Sequence, residues 1–194
     1  TDNYAEEFEA VISTVAPLIL DNLFSFPDGF NEALKSFRQL GVICLLLVLK
    51  YPLTKYYWLN IGDNSFPFGL VVEHTNFCKS QDFDGRHLVY ISKYVDTAEK
   101  LYSGFSDNEL VDYFLKHLSR INPNFHSDWI EKILVFRESY TQPVIETGYL
   151  KIKPGYGTTA PNFYWASSNH IYPEDRGINA SIREGEKVAG IAAQ

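Results

Sequence analysis

The chain has 194 residues, 17 Lys+Arg against 24 Asp+Glu, a formal net charge of −7 and 45% hydrophobic residues. That composition belongs to a folded globular chain and excludes disorder, collagen and a coiled coil; the length lets one large domain or two small ones bury a core. The acidic balance, with no basic stripe, argues against nucleic-acid binding, because neutralising phosphates needs a basic face.

The longest apolar run, residues 41–49, is about half of the roughly 18 residues that a membrane span requires. It has neither the position nor the flanks of a signal peptide, so no membrane span is expected. Cys44 lies in that run and reads as a small core residue; Cys78 has no CxxC partner. Both suit a reducing, cytoplasmic setting. The chain contains no Met, which implies that it does not start at a translation start and is a processed product or a fragment.

Residues 8–15 end in a β-branched run before Ala16-Pro17. They read as a buried strand whose continuous apolar character suits a parallel sheet covered on both faces. Pro17 then opens a short helix, where its missing N–H costs nothing in the first turn. Residues 30–40 read as a helix with Phe30, Leu34 and Phe37 on one face. Residues 42–49 form a buried strand and 56–61 an aromatic one, followed by a turn at Gly62-Asp63-Asn64. Strands at 70–73 and 87–93 follow closely, which predicts an antiparallel or mixed sheet.

Ser106-Asp107-Asn108-Glu109 is a capping box before a helix with Leu110, Tyr113, Phe114 and Leu118 inward, ending ahead of Asn122-Pro123. Residues 130–136 form another strand. An irregular stretch then runs from Gln142-Pro143 through Pro154, Gly155, Gly157 and Pro161. Phe163-Tyr164-Trp165-Ala166 is a short strand and residues 167–177 a loop. Ile178, Ile182, Gly185, Ala189 and Ala192 then recur at helical spacing. They predict a helix whose contact face becomes small enough to approach a sheet closely. The fold class is α+β: one domain built from both ends of the chain, with a sheet-rich domain inserted.

The best candidate for chemistry is the stretch 171–182, a loop leading into the last helix. Free N–H groups at a helix N-terminus favour an anion or a carbonyl oxygen. Gly177 lets a ligand approach the backbone, and Arg176 is placed to clamp a phosphate or orient Glu174. The same pattern also describes a surface helix with solvated charges. No GxGxxG or GxxxxGK[ST] is present, and Gly155-Tyr156-Gly157 reads as a turn, so no complete dinucleotide-binding unit exists. His74, His87, His117, His126 and His170 have no metal-ligand spacing, and no metal site is expected. Glu73-His74, at a strand end, is either an acid–base pair or a structural hydrogen bond. Ser168, His170 and Asp175 lack a nucleophile elbow and are rejected as a triad. The Asn179-Ala180-Ser181 sequon reads as accidental. Tyr56, Tyr57, Trp58, Phe66, Phe68 and Tyr90 either line an apolar pocket or form core.

Residues 162–166 (NFYWA) and 172–185 (YPEDRGINASIREG) resemble the C-terminal FAD-binding signature of the flavin-containing amine oxidase superfamily. That group includes protoporphyrinogen oxidase-like enzymes and, more distantly, UDP-galactopyranose mutase. Residues 11–17 are similar to the strand that re-enters the FAD domain. Blocks at 57–61, 67–69, 73–77 and 142–144 are similar to the substrate domain of one subgroup. The resemblance implies an incomplete Rossmann-like FAD domain at 1–28 and 158–194, with a mixed or antiparallel substrate-binding domain at 29–157.

It also implies cofactor contacts at Ser13 and Thr14, at Trp165, Ala166 and Ser167, and at Arg176, Gly177, Ile178 and Asn179. The last group would approach the pyrimidine end of the flavin ring or the ribityl–phosphate chain. Substrate contacts would come from Tyr57, Trp58, Phe68, Glu73, His74 and Tyr90. The parent would pass hydride from a substrate C–H to FAD. Its partners would be a small-molecule substrate and the missing N-terminal FAD domain, so the isolated chain is expected to hold FAD weakly or not at all and to be inactive. Ser167-Ser168 replaces the Gly-Asp that many members carry after the strand alanine. A nucleotide-sugar isomerase of the mutase type and a non-enzymatic binding domain are the alternatives.

Overall fold

The computed structural model describes residues 5–194. In chain order the elements are β1 (Val11–Ser13), α1 (Pro17–Leu23), α2 (Phe30–Ser36), β2 (Gln39–Leu49), β3 (Trp58–Asn60) and β4 (Leu70–Glu73). They continue with β5 (His87–Val95), α3 (Lys100–Ser103), α4 (Asp107–Leu115), β6 (Ile130–Pro143), β7 (Phe163–Trp165) and α5 (Ile178–Ala192). The chain divides into a terminal unit, made of the described residues up to Arg38 with Pro143–Gln194, and a central unit, Gln39–Gln142. Among the described residues no helix is long and apolar enough to cross a membrane.

In the terminal unit β1 pairs with β7 in parallel, Val11 opposite Phe163 and Ser13 opposite Trp165. Pro17 opens α1 as its residue type dictates. The core joins Leu20, Phe26, Leu34, Phe37, Tyr149 and Trp165. Two expectations change here. β1 is only three residues long, and Val11 and Ile12 are exposed, because the sheet has two strands and little lies over that edge. Residues 29–38 and 143–157 belong to this unit and not to the insert, because the apolar face of α2 closes on Leu20 and Trp165. α2 also stops at Ser36: Phe37 turns extended, and the Arg38 carbonyl accepts the Val144 N–H at 3.0 Å.

The central unit carries a five-stranded sheet in the order β3-β4-β5-β2-β6. β5 runs antiparallel to both β2 and β4. Along β2, Ile43, Leu45, Leu47 and Leu49 are fully buried, while the alternate residues are half-buried. The strand's period of two thus separates a sealed face from a partly open one. The sealed face packs on Leu110, Phe114 and Leu118. Tyr113, expected inward, is exposed: the buried stripe follows the four-residue spacing Leu110, Phe114, Leu118, and Tyr113 lies to the side of it, against Phe105 and His117. The capping box forms as the residues require: Ser106 Oγ accepts the Glu109 N–H at 3.3 Å, and Glu109 Oε2 accepts the Ser106 N–H at 2.7 Å.

Helix α5 is present over the expected span, but its phase differs. It buries Ala180, Glu184 and Val188. Ile178 and Ile182, expected as contact residues, are 81% and 56% exposed, and Gly185 and Ala189 face solvent with them.

Candidate functional site

At the C-terminal ends of the parallel β1/β7 pair, a cleft of about 280 Å³ opens against α5. Thr14, Ala166 and Ser167 come from the strand ends, and Ser181, Glu184 and Gly185 from the helix. Ala166 N–H donates to the Ser13 carbonyl at 3.0 Å, so the strands stay paired up to the rim. This is the position where parallel strands and a following helix present ligand sites in α/β sheets.

The leading end of α5 is open. Gly177 is its N-cap and provides no side-chain cap; the first helical bond runs from the Ser181 N–H to the Gly177 carbonyl at 2.9 Å. The amides ahead of Ser181 point outward with the helix dipole behind them. The Gly177 backbone is extended (φ −177°), a conformation open to any residue. What glycine leaves is space, since a Cβ there would meet nothing within 4 Å. Two shallow hollows flank this end, one reaching Arg176, Ile178 and Ile182, the other Glu174, Asn179 and Arg183.

Not every expected cofactor residue faces the cleft. Trp165 is fully buried; its Nε1–H donates to the Val15 carbonyl at 3.0 Å, and Phe30, Phe37 and His170 pack on its ring. It is a rigid backing to the cleft and not part of its wall. Ser13 contributes its carbonyl to the strand pairing. Glu174 pairs with Arg183, not with Arg176, while the Arg176 N–H donates to Asp175 Oδ1 at 2.8 Å.

A polar cluster that the sequence pattern does not announce holds Glu184, which lines the cleft. Glu184 is buried in the contact row of α5. Tyr156 donates its O–H to Glu184 Oε2, and Lys187 Nζ donates to Oε1 at 2.6 Å. Burial works to raise the Glu184 pKa, but the hydrogen bonds from Lys187 and Tyr156 outweigh it and hold the carboxyl below its usual range. Burial and the Glu184 charge push the Tyr156 hydroxyl up to about 12. His170 is stacked on Tyr156 at 5.1 Å and 14°. Its Nδ1 accepts the Ser167 N–H at 3.0 Å and its Nε2 lies 3.2 Å from the Gly155 carbonyl. Burial lowers its pKa, so the ring is neutral, donates from Nε2 and is fully committed to the backbone. The only sequence signal for Glu184 was its four-residue spacing from Ala180 and Val188.

In the central unit the expected substrate residues divide. Trp58 and Phe68 line one groove of about 470 Å³. Tyr57 is exposed at the sheet edge against Phe77, ring centroids 5.2 Å apart. Tyr90 and His74 lie together, 6.4 Å between rings. Glu73 does not pair with His74: it is fully buried, its Oε2 accepts the Thr54 N–H at 2.6 Å, and its Oε1 faces His87 Nδ1 at 3.4 Å. Burial raises the Glu73 pKa to about 7 and lowers that of His87. Glu73 is closed off from solvent within this unit. Among the described residues no group of three His, Cys, Asp or Glu could hold a metal ion.

Solved structures share this fold. A protein from Exiguobacterium sp. 255-15 assigned as a protoporphyrinogen oxidase matches with TM-score 0.75 at 12% identity, over 99% of this chain and 43% of its own. A reduced UDP-galactopyranose mutase matches with TM-score 0.73 at 13% identity, over 97% and 42%. Putrescine oxidase bound to putrescine matches with TM-score 0.64 at 14% identity, over 95% and 43%. The chain thus spans less than half the length of these structures, and at such identities the likeness is one of fold. No curated protein matches the chain significantly. The model of the flavin-containing amine oxidoreductase family matches residues 1–192, and with the strand–cleft–helix arrangement described above, the chain belongs to that family.

Proposed function

We propose that this chain is part of an FAD-dependent oxidoreductase, in which the terminal unit completes the flavin site and the central unit carries the substrate-facing sheet. The observation that carries the reading is the cleft at the C-terminal ends of β1 and β7, which opens towards a helix whose leading amides have no side-chain cap. The residues fit part of the cofactor. The cleft wall offers the Thr14, Ser167 and Ser181 hydroxyls, and a Cβ at Gly177 or Gly185 would meet nothing within 4 Å. The volume suits one segment of a dinucleotide; the ADP-binding part is assigned to polypeptide outside these 194 residues.

When bound, FAD supplies a two-electron acceptor for a hydride leaving a substrate C–H. The chain's own residues act by position and field. The amides of Ile178 and Asn179, backed by α5, stabilise an electron-rich edge. Thr14 and Ser167 offer hydroxyl contacts at the strand ends, and Trp165 holds that rim rigid from behind. Glu184 is the charged residue of the cleft wall, held from behind by the Tyr156 hydroxyl and balanced by Lys187. On the central unit, Trp58, Val72, Tyr90 and Leu46 stand in one cross-strand row and offer an apolar face to substrate. A nucleotide-sugar isomerase is favoured only by the fold likeness to the mutase. Arg38, Arg86, Arg120, Arg137 and Arg183 each pair with a carboxylate, which does not favour a diphosphate site on this chain.

The test is Gly177→Val in the natural full-length protein. The extended backbone admits a Cβ, which would meet nothing within 4 Å, and exchanging glycine for valine at a helix N-cap costs about 1 kcal/mol, so the flavin-free protein melts a few degrees lower and stays folded. Flavin retained on purification falls at least tenfold. Wild-type flavin content in that variant overturns the placement of the cofactor at this end of α5.

A further inference from the structure

The geometry points to a second binding site, on the central unit, for an aromatic acid. The site shares Trp58 with the sheet row proposed above to face substrate and in that respect rests on that reading, but its walls lie wholly within Gln39–Gln142 and nothing in it depends on the β1/β7 cleft. β4 begins at Leu70, opposite Ser92, whereas β5 runs on to Val95. The connection from β3 to β4 therefore folds beside the end of β5 that pairs with β2 and not with β4, and leaves the groove of about 470 Å³. That is within the size range of small-molecule sites. Trp58, Phe66, Phe68 and Tyr94 give it aromatic walls.

The groove is formed before any ligand arrives. Asp63 Oδ1 accepts the Ser65 N–H at 2.8 Å and the Ser65 hydroxyl at 2.6 Å. Arg120 donates to Asp63 Oδ2 at 2.7 Å and to Ser65 Oγ at 2.9 Å, and its guanidinium lies 3.9 Å over the Phe66 ring. The loop is thus pinned by a planar fork that both bonds and stacks. On the opposite side, the Trp58 indole N–H donates to Asn60 Oδ1 at 3.0 Å, which fixes the ring.

The charge balance selects the ligand. Asp63 is the carboxylate at the groove, and its hydrogen bonds from Ser65, with the Arg120 cation, already satisfy it. Lys93 lines the same groove, half-buried, and has no ion pair or side-chain hydrogen bond among the described residues. A lysine without an ion pair, on a groove that four rings also line, is complemented by a planar apolar body bearing one anionic group: the rings take the body and the lysine the charge.

The experiment titrates the 194-residue chain with 2-naphthoate, its neutral analogue 2-naphthamide and the cationic 2-naphthylmethylammonium, followed by calorimetry and by the fluorescence of the half-exposed Trp58. Wild type binds naphthoate at least tenfold more tightly than either analogue. Lys93→Gln abolishes that preference and leaves naphthamide affinity unchanged, and Trp58→Leu weakens naphthoate and naphthamide together. Urea unfolding of both variants keeps folding separate from binding. Equal affinity for the three probes, a preference that survives Lys93→Gln, tighter binding of the cation, or no saturation with naphthoate each overturns the assignment. None of these results bears on the flavin site, which Gly177→Val tests in a different unit.

Discussion

Replacing Glu73 by Gln tests the electrostatics of the central unit most directly. The carboxyl is fully buried, Oε2 accepts the Thr54 N–H, and Oε1 faces His87 Nδ1 with neither atom hydrogen-bonded. Burial raises its pKa from 4.5 to about 7. Between those values the folded protein keeps a proton that the unfolded chain has released, so this group's stabilisation is complete below about 4.5, is lost as pH rises through about 7, and is flat above. At about 1.4 kcal/mol per tenfold change in proton affinity, the loss amounts to roughly 3 kcal/mol. Gln preserves the acceptor for Thr54 and carries no charge, and its amide can donate to Nδ1 of a neutral His87. Urea unfolding across this pH range, read as the difference between variant and wild type, cancels the other carboxylates. The two proteins agree within about 1 kcal/mol at the acid end, and the variant is more stable by roughly 3 kcal/mol once pH exceeds the folded pKa. A difference that does not change with pH refutes the assignment of a buried, proton-holding carboxyl.

A Cβ on Gly41 would stand 2.8 Å from the Glu138 carbonyl oxygen and 3.0 Å from Thr97 Cγ2; Gly41→Ala therefore costs about 1–3 kcal/mol in urea unfolding, and a neutral result means the strands approach less closely. Ser106→Ala removes half of the capping box and costs about 1 kcal/mol, measured the same way. Ultraviolet titration shows a tyrosine ionising near pH 12, and that step disappears in Tyr156→Phe; its persistence places the late titration elsewhere. FAD added to the 194-residue chain shows no stoichiometric quenching of its fluorescence, and a purified chain that is yellow with one flavin per molecule contradicts the division of the site proposed above.

What the sequence makes legible here is what nearest neighbours decide. Pro17 at a helix start, the Ser106 capping box and the alternation that seals one face of β2 each depend on residues a few positions apart, and each appears where the residues place it. The aromatic set is harder, because Trp58 and Phe68 reach one groove only through the course of the 61–69 connection, while Tyr57 turns to Phe77. The phase of α5 is the instructive case. A helical stripe is read by setting its apolar row against the core, which selects Ile178 and Ile182 and rejects any row with a carboxylate. The fold does the reverse, because Glu184 finds Tyr156 and Lys187 and so removes the cost of burial. Tyr156 lies 28 positions upstream, beyond any local pattern. Ile182→Ala decides between the two phases. If Ile182 is at the rim of the hollow, as its 56% exposure states, the stability of the chain changes by less than about 0.5 kcal/mol. If it packs in the core, the cost is about 2–5 kcal/mol. In the full-length protein the same change lowers flavin retention without altering the flavin-free melting temperature, so a loss of stability and a loss of cofactor are read separately. A large destabilisation of the 194-residue chain restores the buried stripe and closes the end of α5 to a ligand.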